Sequence, residues 1–158
     1  MTNFQKISLF LLRVSLGGLF FYAGITKITV KLLNLNVDPA WSAQKYLEGA
    51  KAFSDFYIFL ASPALLPFIN FINAWGLTLL GVSLILGIFV RLSSVLGIIL
   101  MSLYYLALGF PYPNAHSYIV DEHIIYIFAL LTFISFRAGR AWGLDIWCKN
   151  LPFCKKFS

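Results

Sequence analysis

Four long apolar stretches, separated by shorter polar segments, are the main pattern along this chain of 158 residues. The hydrocarbon core of a bilayer is about 30 Å thick, and about 20 helical residues cross it. Backbone polar groups in hydrocarbon must be satisfied within their own segment, so each stretch is predicted to be a helix. The pattern therefore predicts an all-α fold, a bundle of four transmembrane helices. The predicted spans are Ile7–Ile28, Pro63–Val90, Leu92–Phe110 and Tyr118–Phe136.

The connection between the first two spans, Thr29–Ser62, is long enough to hold structure of its own. Asp38-Pro39 has the pattern of an N-cap followed by proline at the first helical position. Beyond it, apolar residues from Ala43 to Tyr57 recur at three- and four-residue spacing, with polar residues on the opposite face. We predict an amphipathic interfacial helix over about 38–60. It is interpreted either as a tether or as a lid over the bundle mouth.

The remaining connections are predicted to be short, a hairpin at Arg91–Ser94 and a loop at Pro111–Ser117. The composition agrees with a membrane bundle, since 60% of the residues are hydrophobic and 11% are charged. No second domain is expected, and residues 1–158 are interpreted as one integral membrane domain. Lipid is then the first expected partner.

The net charge of +6 is interpreted as membrane topology and not as nucleic-acid binding. With four spans, both termini share a side with Arg91, and Asp145 is the only acid on that side. The positive-inside rule places this side in the cytoplasm, here of a prokaryotic cytoplasmic membrane. The basic residues on this side are Lys6, Arg91, Arg137, Arg140, Lys149, Lys155 and Lys156.

Ionisable side chains within the spans are candidate functional groups, because their burial costs several kcal/mol. Arg13 lies about two turns into the first span, and it either extends to the headgroups or faces a partner inside the bundle. Lys27 ends the same helix on the opposite side, about 21 Å away. Its alternative interpretation is a helix-end anchor.

The fourth span opens with Asp121-Glu122-His123. Carboxylates at a helix N-terminus interact favourably with the helix dipole, which gives both acids a structural interpretation. His123 and Tyr126 are three residues apart and share a helix face. An imidazole and a phenol there are able to hydrogen-bond a carbonyl or shuttle protons.

Aromatic residues are candidate walls for a flat ring, although aromatic belts at membrane interfaces explain many of them. Metal chemistry is not expected, because the chain has only two histidines and no metal-ligand motif. Cys148 and Cys154 match neither a redox pair nor a zinc site. The candidate walls are Trp41, Trp75, Tyr104 and Tyr105.

Several motifs, in order along nearly the whole chain, resemble those of the DoxX/DoxD-like membrane family. The final two motifs are most similar to the DoxD branch. The motifs are Arg13-x3-Gly17-x2-Phe20-x3-Gly24-x2-Lys27, Asn73-Ala74-Trp75-Gly76, Gly81-x5-Gly87, Asp121-Glu122-His123-Ile124-Ile125-Tyr126 and Ala138-Gly139-Arg140-Ala141-Trp142-Gly143-Leu144-Asp145.

The resemblance to the DoxD branch implies a subunit of a thiosulfate:quinone oxidoreductase, which passes electrons from a sulfur compound to a membrane quinone. A redox partner subunit is also implied, whereas homo-oligomerisation stays open. We hypothesise that a quinone binds between the outer halves of spans one, two and four. In this hypothesis the catalytic residues are His123, Tyr126 and Lys27, and the quinone-binding residues are Trp41, Trp75, Arg13 and Glu122.

A second hypothesis is a non-catalytic membrane scaffold or assembly factor that recruits a redox enzyme. It predicts a stable protein partner and no small-molecule pocket. A small-solute transporter is disfavoured, because spans two and three offer no charged residue to line a polar route.

Overall fold

The computed structural model describes residues 1–32, 41–109 and 118–148, and in these ranges the chain is helical without strands. Several sequence predictions fall outside these ranges, namely the Asp38-Pro39 cap, the Pro111–Ser117 loop, Cys154 and the basic residues Lys149, Lys155 and Lys156. The helices are α1 (Asn3–Leu32), α2 (Gln44–Glu48), α3 (Ser54–Leu60), α4 (Leu66–Leu86), α5 (Val90–Leu108), α6 (Glu122–Ser135) and α7 (Asp145–Cys148), with a 3₁₀ turn at Ala138–Arg140.

Three helices are long and apolar enough to cross a membrane, namely Asn3–Thr29 within α1, α4 and α5. The fourth predicted span is shorter than expected, because α6 has 14 residues and begins only at Glu122. At 1.5 Å per residue it is about 21 Å long. The helical membrane bundle is thus supported, whereas a complete fourth crossing stays a prediction.

The predicted hairpin at Arg91–Ser94 is wrong, because these residues belong to the first turn and a half of α5. The connection instead lies at residues 87–89. Gly87 ends α4 in the left-handed conformation, with φ of 68°, and its N–H donates to Ser83 O at 2.9 Å. Phe89 precedes α5, also with positive φ.

The predicted continuous helix over 38–60 is also not observed, since the described part forms two short helices. Gly49 follows α2, and Phe53 adopts a left-handed conformation, with φ of 52°, immediately before α3. The three- and four-residue spacing across Gly49–Phe53 therefore did not indicate one helix. Part of the amphipathic character remains, because Leu47 and Tyr57 are buried while Lys45 and Glu48 are exposed. Phe53, which the spacing placed on the apolar face, is exposed.

Helices α1 and α4 form one closely packed antiparallel pair, and α5 and α6 form another. Gly81 of α4 lies so close to the backbone of Phe21 in α1 that a Cβ atom would collide with it. The core between the pairs includes Phe20, Leu84 and Phe133, each at most 1% exposed.

The antiparallel order gives the bundle two distinct ends. We call the end with Lys27 of α1 and the start of α6 the cavity end, and the end with the first turn of α1 and the 3₁₀ turn the terminal end. Helix α3 packs beside α5 near the cavity end, because the Tyr57 hydroxyl donates to Leu103 O at 2.7 Å. Burial raises the pKa of Tyr57, which keeps this hydroxyl a donor near neutral pH.

Candidate functional site

A cavity of about 680 Å³ lies at the cavity end, between the ends of α1 and α5, the start of α6, and α2. This volume is within the range of small-molecule sites, roughly 300–1,000 Å³. Its lining combines aromatic rings with polar groups. The lining residues are Lys27, Trp41, Ser42, Ala43, Tyr46, Asn73, Tyr104, Leu108, Asp121, Glu122 and His123.

Three spans contribute to one hydrogen-bonded chain along the cavity wall. The Lys27 ammonium of α1 donates to Asn73 Oδ1 of α4 at 3.0 Å. The Asn73 amide in turn donates to the hydroxyl of Tyr104 of α5. Since Asn73 is buried, this chain satisfies polar groups whose burial would otherwise be costly.

Trp41 completes the environment of the ammonium. Lys27 Nζ lies 4.5 Å from the centroid of the Trp41 ring, which is a cation–π contact. The segment carrying Trp41 is attached to α4, because Asn70 Oδ1 accepts from the Ala43 N–H at 2.9 Å. Tyr46 attaches it to α5 as well, since its hydroxyl donates to Tyr104 O at 2.7 Å.

On the opposite wall, Asp121 orients His123. One carboxylate oxygen of Asp121 accepts from the Ile124 N–H at 3.1 Å, so this residue is the N-cap of α6. The other oxygen lies 2.6 Å from His123 Nδ1. When Nδ1 carries the proton that Asp121 accepts, His123 Nε2 is left as the free acceptor of the ring.

The two walls meet at Tyr104, whose ring packs edge-on against His123 with centroids 5.7 Å apart. The cation, the hydroxyl and the imidazole therefore line one space. Chemically, this arrangement is able to donate hydrogen bonds to a ligand oxygen and to hold a proton at His123. Because aromatic rings separate the polar groups, a flat amphipathic ligand fits the lining.

Four of the sequence-predicted site residues line this cavity, namely Lys27, Trp41, Glu122 and His123. Trp75 does not, because it is 43% exposed on α4 and packs against Phe71. Tyr126 lies one turn further along α6 and packs edge-on against Phe20 in the core.

Arg13 lies at the terminal end, away from the cavity. Its side chain is completely buried, and Nη1 donates to Ala138 O at 2.6 Å. Neither Nε nor Nη2 has a hydrogen-bond partner among the described residues. The structure thus places the Arg13 side chain in the bundle interior, against the 3₁₀ turn.

Asp145 lies near Arg13 and joins three parts of the chain. Its carboxylate accepts from the Phe89 N–H at 2.8 Å, and its own N–H donates to Gly87 O at 2.9 Å. Burial raises the pKa of the Asp145 carboxyl, whereas the Phe89 N–H and the nearby Arg13 oppose this increase. The segment after α6 is therefore attached to the α4–α5 connection.

Asn73, Tyr46 and Asp121 were not among the predicted site residues. An uncharged amide in an otherwise apolar span was the available signal for Asn73, but it entered only as part of a family motif. Asp121 was interpreted only through the helix dipole, since its contact with His123 requires the folded N-cap. Tyr104 was predicted as an aromatic wall, and its role in the hydrogen-bonded chain was not.

The family model described as DoxX matches residues 8–109, which include most of α1, all of α2 to α5 and most of the cavity lining. A search of curated proteins and a search of solved structures each gave no match. The match covers more than half of the chain, and three of its helices are long and apolar enough to span a membrane. The chain is an integral membrane protein that belongs to the DoxX family.

Proposed function

We propose that this protein is a membrane redox subunit that binds the head group of a quinone in the cavity. The single observation that carries the proposal is the meeting of Lys27, Tyr104 and His123 around one space of about 680 Å³. A quinone ring is flat and apolar, with an oxygen acceptor at each edge. Aromatic walls with donors at separate points suit such a ligand.

The residues present fit the head group. Lys27 uses one of its three N–H donors on Asn73 Oδ1, so others are available to a ring oxygen. The Trp41 ring, which already contacts the Lys27 ammonium, would cover one face of the ligand. Because Glu122 is exposed at the start of α6, it would contribute charge at the rim and not a contact inside.

A bound quinone supplies a two-electron acceptor, and its conversion to the quinol consumes two electrons and two protons. The protein supplies positioning and the site of one of the two protons, and the second proton would come from water at the open side of the cavity. His123 Nε2 would hold a proton next to the ligand, and the Asp121 carboxylate would stabilise the positive imidazolium. The Lys27 ammonium would stabilise negative charge on a ring oxygen.

Thiosulfate or another sulfur compound is the proposed electron source, with a redox partner subunit. This part of the proposal is supported by the resemblance of Asp121–Tyr126 and Ala138–Asp145 to the DoxD branch. Tyr126 and Trp75, which lie outside the cavity, have no proposed contact with the ligand. Arg13 is assigned to the packing of the terminal end.

Equilibrium binding of decylubiquinone to the purified protein in lipid nanodiscs tests the proposal. We expect saturable binding by the unmodified protein. The Lys27→Met variant should weaken binding by about tenfold or more, because a hydrogen bond from a charged donor is lost. The matched control is Lys45→Met, since Lys45 is exposed on α2 and does not line the cavity.

His123→Ala separates binding from proton handling. With a sulfur-compound donor and the partner present, this variant should reduce quinone turnover by about a hundredfold. Absence of saturable decylubiquinone binding to the unmodified protein would contradict the quinone site. A stable protein partner recovered from the same membranes would then favour the scaffold hypothesis.

A further inference from the structure

We infer that the Tyr104 hydroxyl donates a hydrogen bond to a ring oxygen of the ligand, and that Asn73 fixes the direction of this donation. The inference rests on the proposed quinone site and specifies how that site recognises an oxygen. It also distinguishes Tyr104 from Tyr46, Tyr57 and Tyr105, whose hydroxyls donate to backbone carbonyls.

The orientation of the Asn73 amide follows from its neighbour. An ammonium has three donors and no acceptor, so the Asn73 atom that faces Lys27 Nζ at 3.0 Å must be the oxygen. The amide nitrogen then faces the hydroxyl of Tyr104. Lys27 therefore removes the ambiguity that usually accompanies the assignment of amide oxygen and nitrogen.

The direction of the Tyr104 hydroxyl follows in turn. The amide nitrogen can only donate, so the Tyr104 oxygen must accept this hydrogen bond. Its own proton is then not used on Asn73. Within residues 1–32, 41–109 and 118–148, the structure assigns this hydroxyl no other hydrogen-bond partner.

The surroundings of Tyr104 direct that proton towards the cavity. Tyr104 lines the cavity, and the imidazole of His123 packs edge-on against its ring. The neighbouring Tyr46 hydroxyl is already bonded to the backbone carbonyl of Tyr104, and not to its side chain. An acceptor oxygen in the cavity is thus the partner that the hydroxyl lacks.

The same chain strengthens the donation. The Lys27 charge polarises the Asn73 amide, and an amide that donates to a hydroxyl oxygen makes the hydroxyl proton a better donor. Asn73 is thus a positioning residue, because it acts through Tyr104 and not on the ligand. The cavity would select a ligand that presents an acceptor oxygen to Tyr104 and Lys27.

Substitution of Tyr104 and of Asn73 tests this inference by decylubiquinone binding in nanodiscs. Tyr104→Phe removes only the hydroxyl and should weaken binding about five- to thirtyfold. Asn73→Asp replaces the donating nitrogen with an acceptor, so the Tyr104 proton should turn to residue 73 and binding should weaken similarly. The double variant should bind no more weakly than either single variant.

The control is Tyr105→Phe, on the same helix. The Tyr105 hydroxyl donates to Ile119 O at 2.7 Å, and the side chain does not line the cavity. This variant should keep the unmodified affinity. An equal loss in Tyr105→Phe would overturn the specific role of Tyr104.

Infrared spectroscopy of protein with ring-labelled tyrosine provides a readout that a purely structural role would not change. Decylubiquinone should shift the frequency of one tyrosine C–O stretching band, from the value typical of a hydroxyl that only accepts a hydrogen bond to the value typical of a hydroxyl that donates one. The Tyr104→Phe variant should not show this shift. Absence of the shift in the ligand-bound unmodified protein would overturn the donor assignment. Multiplicative losses in the double variant would overturn the positioning role of Asn73.

The failure of each proposal has a distinct result. If the unmodified protein binds no decylubiquinone, the quinone site itself is contradicted. If the unmodified protein binds and Tyr104→Phe binds equally well, only the donor role of Tyr104 is contradicted.

Discussion

The two ends of the bundle use similar residues for opposite purposes. At the terminal end, Arg13 is completely buried and Asp145 is 3% exposed. At the cavity end, Lys27 and His123 are only partly buried and face an open space. Each end thus has a long cationic side chain from α1 and an aspartate that caps a later helix.

The difference lies in what surrounds the charges. Around Arg13, a Cβ atom at either Gly87 or Gly143 would collide with the guanidinium, so the backbone fills the space. Around Lys27, a cavity of about 680 Å³ occupies the corresponding place. Charge within a span is therefore not sufficient to locate a binding site. Space beside the charge is the additional requirement.

The largest expected effect on stability is at the terminal end. Asp145→Ala should lower the free energy of unfolding by about 3 kcal/mol, because it removes the acceptor of the Phe89 N–H and leaves this donor without its partner. Reversible unfolding in mixed micelles measures the loss. The decylubiquinone affinity of the folded fraction should not change, and a concurrent loss of affinity would contradict the separation of the two ends.

A substitution in the α1–α4 contact, between the two ends of the bundle, should have the next largest effect on stability. Gly81→Ala should cost about 2 kcal/mol, because the new Cβ atom would collide with the backbone of Phe21. Gly76→Ala is the matched control on the same helix, since nothing lies within 4 Å of a Cβ atom there. Equal thermal stability of the two variants would contradict the close α1–α4 contact.

A substitution at the cavity end should have a small effect on stability and a large effect on the site. Asp121→Asn keeps an N-cap side chain for the Ile124 N–H, so the free energy of unfolding should change by no more than about 0.5 kcal/mol. His123 loses its carboxylate partner, and quinone turnover should fall about tenfold. Unfolding and turnover assays on the same preparation test both statements. If Asp121→Asn lowered the free energy of unfolding as much as Asp145→Ala does, the proposed difference between the two ends of the bundle would be contradicted.

The smallest expected effect is the pH dependence of Asp145. Its pKa is raised by burial, so the folded state binds the proton more tightly than the unfolded state does. The free energy of unfolding of the unmodified protein, relative to that of Asp145→Asn, should therefore increase as the pH falls from 7 through the pKa of Asp145 in the folded state. The increase should level off below the pKa of an unperturbed aspartate, about 3.9. Unfolding of both proteins at pH 7 and pH 4 measures this change. A relative decrease at pH 4 would contradict the direction of the shift.

Sequence patterns predicted three helices that are long and apolar enough to span a membrane, because length and hydrophobicity are local properties, whereas the fourth span stays a prediction. The ends were less predictable. The α4–α5 connection depends on Gly87, and on Asp145 more than 50 residues away, which accepts from the Phe89 N–H. The α2–α3 break depends on the left-handed conformation of Phe53, for which a phenylalanine gives no signal.

The candidate site was also predictable only where a local sequence property identifies a residue. Lys27 and His123 are conspicuous because charged and titratable residues are rare in spans. Their arrangement with Asn73 and Tyr104 depends on how four helices, α1, α4, α5 and α6, meet, and no local sequence pattern predicts it. Trp75 shows the limit of such patterns, since it was interpreted as a candidate wall for a ring and its side chain is 43% exposed on α4.

Tryptophan fluorescence tests the central claim most directly, because Trp41 lines the cavity while Trp75 lies outside it. Titration of the protein with decylubiquinone in nanodiscs should quench the emission in a saturable manner. Trp41→Phe should remove most of the saturable quenching, whereas Trp75→Phe should retain it. Retention of saturable quenching in Trp41→Phe, with its loss in Trp75→Phe, would contradict a ligand site at the cavity end.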